Sequence, residues 1–177
     1  MITTFSKKEL IQKALEKRTS KAYLDDNINK SAKIISKILN SDDFKNAKNV
    51  AIYLPIRGEI DISSLVKVKD KNFFLPRCNG LELEFALYSG ELVKNKWNIL
   101  EPVGKKINPE ILDVIYIPAI LANKNNYRLG YGKGFYDRFF KTHKTKAKKV
   151  LILAKDFIAD EFVQDDFDIQ NDYFITN

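Results

Sequence analysis

The chain reads as an α/β protein, a three-layer domain with a mostly parallel sheet flanked by helices. Unbroken apolar runs at residues 50–54, 114–117 and 150–154, and a shorter one at 73–75, have the character of strands covered on both faces. Helical signals precede the first of these runs. A glycine-rich stretch then stands directly before another helical segment, as in sheets whose strand ends hold a ligand.

The elements follow in order. Ser6-Lys-Lys-Glu9 is a capping box, which predicts a helix running to about Arg18. A second helix is expected over about 20–40, with Ile28, Ala32, Ile35 and Leu39 at helical spacing as its buried face. After run 50–54 comes Pro55-Ile-Arg-Gly-Glu-Ile-Asp61, at the carboxyl end of a buried strand. There Glu59 is the candidate for hydrogen-bonding a substrate, Arg57 a candidate to neutralise an acid, and Asp61 a cap for a short helix over 62–68. Run 73–75 ends at Pro76 and Arg77, which places a cation at the same rim, and 81–87 alternates as an edge or half-exposed strand would. The only tryptophan, Trp97, belongs by base rate to a core more often than to a ligand platform. Run 114–117 leads through Pro118 into the loop that delivers Arg128, and a helix is expected over 135–141. The acidic cluster Asp165, Asp166, Asp168 and Asp172 reads as a solvated turn.

At 177 residues the chain is expected to form a single domain, 1–177, long enough to bury a core without staples. A single cysteine excludes a disulfide framework and cysteine-based zinc clusters. The sequence has neither a secretory h-region nor an apolar run of membrane-spanning length, so a cytoplasmic protein with no membrane partner is expected. The 30 basic and 23 acidic residues leave a net charge of +7, which favours anionic partners. The lysines are spread widely, and their densest run, 141–149, lacks the interleaved aromatics of a stacking platform. A solvated face and no nucleic-acid partner are the expectation. With no heptad or apolar helix face asking for a partner, a monomer is expected too.

The most informative stretch is Arg128-Leu-Gly-Tyr-Gly-Lys-Gly-Phe-Tyr-Asp-Arg138. Alternating Gly130, Gly132 and Gly134 let the backbone bend and approach a ligand closely. The N–H groups and dipole at the start of the following helix suit a phosphate. Arg128 and Lys133 add charge-assisted donors, and Asp137 a hard oxygen for a cation. The stretch fits neither the P-loop nor the dinucleotide template. His143, among lysines, and Cys78, without a nearby base, give little support to triad chemistry.

These residues resemble the signature of the 5-formyltetrahydrofolate cyclo-ligase (5,10-methenyltetrahydrofolate synthetase) family. Tyr53-Leu-Pro-Ile-Arg-Gly-Glu-Ile-Asp, Phe74-Leu-Pro-Arg, Trp97-Asn-Ile-Leu-Glu-Pro and Leu112-Asp-Val-Ile-Tyr-Ile-Pro stand in the family's order, and the match spans nearly the whole chain. The resemblance implies a fold like that of sugar-phosphate isomerases and CoA transferases. It implies ATP- and magnesium-dependent closure of 5-formyltetrahydrofolate to 5,10-methenyltetrahydrofolate through a phosphorylated formyl group, releasing ADP and phosphate. Carried over by position, Lys7 and the stretch Arg128, Gly130, Tyr131, Gly132, Lys133, Gly134, Phe135 and Tyr136 would hold ATP. Arg128, Lys133 and Tyr136 would be catalytic, and Asp137 and Asp168 would bind magnesium. Glu59, Trp97, Tyr131 and Tyr136 would contact the folate, whose polyglutamate tail the basic surface would suit. The chain departs from the family pattern at Ile11 (arginine is usual), Asn123 (aspartate), Asn126 (glycine) and Phe135 (tyrosine). These departures leave an alternative, a divergent member that keeps nucleotide binding but acts on another substrate or as a regulator.

Overall fold

The computed structural model describes residues 6–177. Three helices come first: α1 (Lys7–Arg18), α2 (Lys21–Asn40) and the short α3 (Asp42–Asn46). Then come β1 (Asn49–Ala51), β2 (Asn72–Asn79), β3 (Glu82–Leu87) and a hairpin of β4 (Leu92–Lys94) and β5 (Leu100–Pro102). β6 (Val114–Pro118), β7 (Leu121–Asn123) and β8 (Arg128–Leu129) lead to α4 (Phe135–Thr142). The chain continues through β9 (Lys148–Ile152), β10 (Ile158–Ala159) and β11 (Tyr173–Ile175). The capping box at α1 is formed, the Ser6 side chain accepting from Glu9 N–H and the Glu9 carboxylate accepting from Ser6 N–H.

The central six-stranded sheet has the order β11-β9-β6-β1-β2-β3. Every pairing in it is parallel except β2 with β3. The unbroken apolar runs thus became parallel strands flanked by helices, and the alternating run became the antiparallel edge. Val114, Ile115, Tyr116 and Ile117 of β6 are fully buried, which is why nothing polar interrupts that run. Pro76 lies past the register of β1 and pairs only with β3, opposite Phe85, where its missing N–H interrupts no central ladder. The other edge, β11, is the three-residue apolar run Tyr173–Ile175, which the sequence reading does not single out. It pairs in parallel with β9, and just ahead of it the Asp172 carboxylate accepts the Lys149 N–H at 2.7 Å.

Two local expectations change. The helix expected over 62–68 is a single 3₁₀ segment, Ser63–Lys67, and Asp61 accepts the Ser63 N–H at 2.8 Å just ahead of it. The buried face of α2 is Tyr23, Ser31, Ile34 and Ile38, whereas Ile28 is 80% exposed and Leu39 39% exposed. Ile28, Ala32 and Leu39 of the expected set lie one residue, about 100° of helix rotation, out of phase, while Ile35 is half-buried and packs against the core. The reason is that polar residues sit on the inward side with work to do. Asn27 Nδ2 donates to the Glu59 carbonyl at 3.0 Å, and the Ser31 hydroxyl accepts the Asp61 N–H at 3.0 Å. The inward face of α2 therefore holds the loop after β1. Between them, that loop and the Leu24, Ile28, Ala32 and Ile35 side of α2 wall a groove of ≈ 530 Å³. Among the described residues, no helix is long and apolar enough to cross a membrane.

Candidate active site

The glycine run joins β8 to α4 beyond the sheet. Gly132 and Gly134 hold φ of 77° and 60°, the left-handed region, and Gly134 is the N-cap of α4. Gly130 lies close to Arg128: a Cβ there would stand 2.7 Å from Arg128 Nη1, so the guanidinium end would have to shift. The loop thus folds over the Arg128 guanidinium, which is held beneath it. Arg128 Nη2 donates to Asp137 Oδ2 at 2.8 Å, and the guanidinium carbon lies 5.2 Å from the centre of the Tyr136 ring. Burial pushes the Tyr136 phenol well up, against the lowering influence of Arg128.

Asp137 Oδ1 also accepts the Ile169 N–H at 3.3 Å, which brings the 165–169 segment to α4. Asp168, the neighbour of Ile169, takes Lys7 Nζ at 2.7 Å, and Lys7 also reaches Asp165 at 2.6 Å. Partial burial alone would lower the Lys7 ammonium, but hydrogen bonds and charge from Asp165 and Asp168 outweigh it and leave the group raised. The start of α1, the start of α4 and this acidic segment therefore meet. The segment is the exposed turn expected, and it also turns Asp165 and Asp168 to a lysine.

Glu59 is 5% exposed. Its Oε2 accepts the Ile56 N–H at 2.9 Å, and its Oε1 lies 3.3 Å from the Tyr131 hydroxyl. Burial pushes its carboxyl up to about 7, although the Ile56 N–H, Arg18 and Tyr131 all pull the other way. Tyr131 is raised in turn, first by burial and then by the Glu59 charge. The neutralising cation is Arg18, not Arg57: Arg18 Nη2 stands 3.9 Å from Glu59 Oε1. Arg57 adopts a left-handed φ of 46° and lies over the Tyr131 ring at 5.6 Å. Arg18 lies outside the candidate motifs, yet the sequence holds a signal for it. It continues the i, i+3, i+4, i+7 inward stripe of Ile11, Ala14 and Leu15, where a cation needs a buried partner.

Trp97 is not core. It is 41% exposed near the turn of the β4–β5 hairpin, with Lys133 Nζ 4.6 Å from its ring centre and Lys96 Nζ 4.5 Å away. Phe135 opens α4 and carries the Arg138 guanidinium at 5.3 Å from its ring centre. Arg77 donates to Glu84 and to the Gly104 carbonyl, so it does not activate Cys78, whose thiol is pushed up by burial and by Glu101. His143 stacks on Phe139 with centroids 4.9 Å apart, at the far end of α4. Among the departures, Asn126 takes φ 61°, the left-handed turn that a glycine would supply. Asn123 is fully buried and its Oδ1 accepts the Asn125 and Tyr127 N–H groups, while Ile11 packs against the core.

A family model described as the 5-formyltetrahydrofolate cyclo-ligase family matches residues 4–164. A 5-formyltetrahydrofolate cyclo-ligase of Mycoplasma genitalium is 30% identical over 170 residues, covering 95% of this chain and 93% of that protein. The solved 5,10-methenyltetrahydrofolate synthetase of Aquifex aeolicus superposes with a TM-score of 0.82 at 34% identity, covering 96% of this chain and 89% of the other. The Mycoplasma pneumoniae synthetase, at 24% identity, shares the fold with a TM-score of 0.78 over 97% of this chain and 98% of its own.

Proposed function

We propose that this chain, which belongs to the 5-formyltetrahydrofolate cyclo-ligase family and is thus an enzyme of that class, uses ATP and magnesium to close 5-formyltetrahydrofolate to 5,10-methenyltetrahydrofolate. The observation that carries this reading is the contact between Tyr131 of the glycine loop and Glu59, which puts a phosphate-type loop and a folate-type carboxylate within one hydrogen bond. The formyl oxygen is a poor leaving group. Transfer of the γ-phosphoryl group to it makes a phosphate ester and releases ADP. The neighbouring folate amine then attacks the activated carbon, the C–O bond breaks, phosphate departs and the amine gives up its proton. No protein nucleophile is needed, only alignment and charge neutralisation.

In this reading Lys7, Arg128 and Lys133 neutralise the phosphates, and the amides of Gly130–Gly134 wrap them. Glu59, when ionised, accepts from the N–H groups of the folate ring, with Trp97, Tyr131 and Tyr136 as apolar walls. The Asp137 and Asp168 carboxylates are hard oxygens, and the Asp137–Ile169 N–H contact brings their segments together; with phosphate oxygens they would supply the ligands that magnesium prefers. They would hold the ion, which would neutralise phosphate charge. The +7 surface suits a polyglutamate tail, and the protein acts as a monomer.

The test is the appearance of methenyl absorbance when purified protein meets 5-formyltetrahydrofolate and ATP with magnesium, repeated with ATP and then magnesium omitted. Absorbance that needs both is the expected result. ATP binding without any methenyl product would favour the alternative, a nucleotide-binding relative with another substrate.

A further inference from the structure

Arg18 has no place in the phosphate or metal chemistry above, yet it is 2% exposed at the end of α1. Its Nε donates to the Arg57 carbonyl at 3.0 Å, its Nη1 to the Ala119 carbonyl at 3.2 Å, and its Nη2 to the Tyr131 hydroxyl at 2.6 Å. A single fork thus ties together the loop after β1, the end of β6 and the glycine loop. Position 58 has been left without a side chain to allow this. A Cβ on Gly58 would come within 2.5 Å of the Arg18 carbonyl and 3.1 Å of its Cγ.

We infer that Arg18 is a positioning residue for the folate half of the reaction, holding the Tyr131 hydroxyl against Glu59 so that the carboxylate meets the substrate ionised and correctly turned. This rests on the reading of Glu59 as a folate contact. A lysine could supply the charge but not the planar fork that serves three separate acceptors. The arrangement also gives the glycine loop a line to the folate pocket, because the residue that orients Glu59 is carried by that loop.

The charged and titratable groups facing Glu59 are Arg18 from α1, Tyr131 and, more distantly, Tyr136 from the glycine segment, with Arg57, Tyr53 and Asp61 nearby on its own loop and strand end. Arg18 and Tyr131 are the side chains that pull the Glu59 carboxyl down against burial. Removing either therefore moves its titration to higher pH.

The experiment is a pH profile of the folate KM for wild type, Arg18→Lys, Arg18→Met, Tyr131→Phe and Glu59→Gln, with the ATP KM measured beside it. Arg18→Lys is expected to raise the folate KM roughly tenfold, the value of a lost hydrogen bond to a charged group, while the ATP KM stays within about twofold. In Arg18→Met and Tyr131→Phe, the limb below which folate binding weakens should move to higher pH. Tyr131→Phe guards the test, since it breaks the link without stranding a buried charge, should Arg18→Met fail to fold. Equal losses on both substrates with an unmoved limb would overturn the inference and leave Arg18 a purely structural residue. If Glu59→Gln itself leaves the folate KM and its pH limb unchanged, the reading of Glu59 falls, and the inference falls with it by a separate outcome.

Discussion

The Arg128 guanidinium grips the Asp137 carboxylate at 2.8 Å across the glycine loop that separates them in sequence. Each is thereby already committed to an opposite charge, and Lys7 is likewise committed to Asp165 and Asp168. On the proposed reading, magnesium-nucleotide would exchange these pairs, not fill a field of bare charge. Asp137→Asn keeps the shape of the site and removes its anion. The expected result is a fall in kcat on the order of a hundredfold or more with a weakened magnesium dependence. Full magnesium-dependent turnover in that variant would remove Asp137 from the metal site.

Glu59 also predicts a stability effect. Its carboxyl is raised from the ordinary 4.5 to about 7 in the fold, chiefly by burial. A raised acid favours the folded state below its unfolded value, and that contribution is lost as pH climbs through about 7. Glu59→Gln should therefore gain stability over wild type as pH rises from 4.5 to above 7. The gain is at most about 3 kcal/mol and vanishes near the acid end. Thermal melts across that range check it, and a gain that shrinks with rising pH would contradict the burial argument.

Lys133 and Trp97 form a second coupled pair. The ammonium sits 4.6 Å above the ring, so the lysine assigned to phosphate and the wall assigned to folate touch. Lys133→Met is expected to lower kcat, and Trp97→Ala to raise the folate KM roughly tenfold. A double-mutant cycle on kcat/KM should show a coupling of about 0.5–2 kcal/mol. Additive losses would mean that the two residues act apart.

Gly58→Ala is a stability test of the Arg18 seat. The new Cβ would meet the Arg18 carbonyl at 2.5 Å, and the position holds a φ of 73°. A loss of roughly 1–3 kcal/mol or more is expected in urea melts. A neutral result would show that the loop can retreat from α1.

On α2, Ile34 is fully buried and Ile28 is 80% exposed. Ile34→Ala should cost roughly 2–5 kcal/mol, while Ile28→Ala should change stability by about half a kcal/mol at most. Denaturant midpoints distinguish them, and comparable losses at both would restore the outward phase as a packed face.

That helix also shows where the sequence stops being legible. The parallel sheet could be read because covered strands need unbroken apolar runs, and Val114 to Ile117 is such a run in full. The phase of α2 could not, because Asn27 and Ser31 spend inward positions on holding the Glu59 loop, and polarity there mimics a solvent face. The glycine loop was legible since Gly132 and Gly134 are required by their left-handed backbone. Arg18 was legible only as an inward position of α1, since its partners are carbonyls and a hydroxyl up to 113 residues away and no local pattern names them. The pairing of Lys7 with Asp168, 161 residues apart, belongs to the same class of long-range contact.

The strand order has a consequence for how the molecule is made. β6 pairs with β1, β9 with β6 and β11 with β9, each new strand docking on the one laid before it. Synthesis from the N-terminus can therefore extend the sheet outward from β1, first through β2 and β3 on one side and then through β6, β9 and β11 on the other, with no strand required to insert between two already joined. The Asp165–Asp168 segment that fastens Lys7 emerges only just ahead of the outermost strand. A growing chain can thus assemble its scaffold before the contact between Lys7 and the Asp165–Asp168 segment closes, so an unfinished product would carry the sheet framework without that latch.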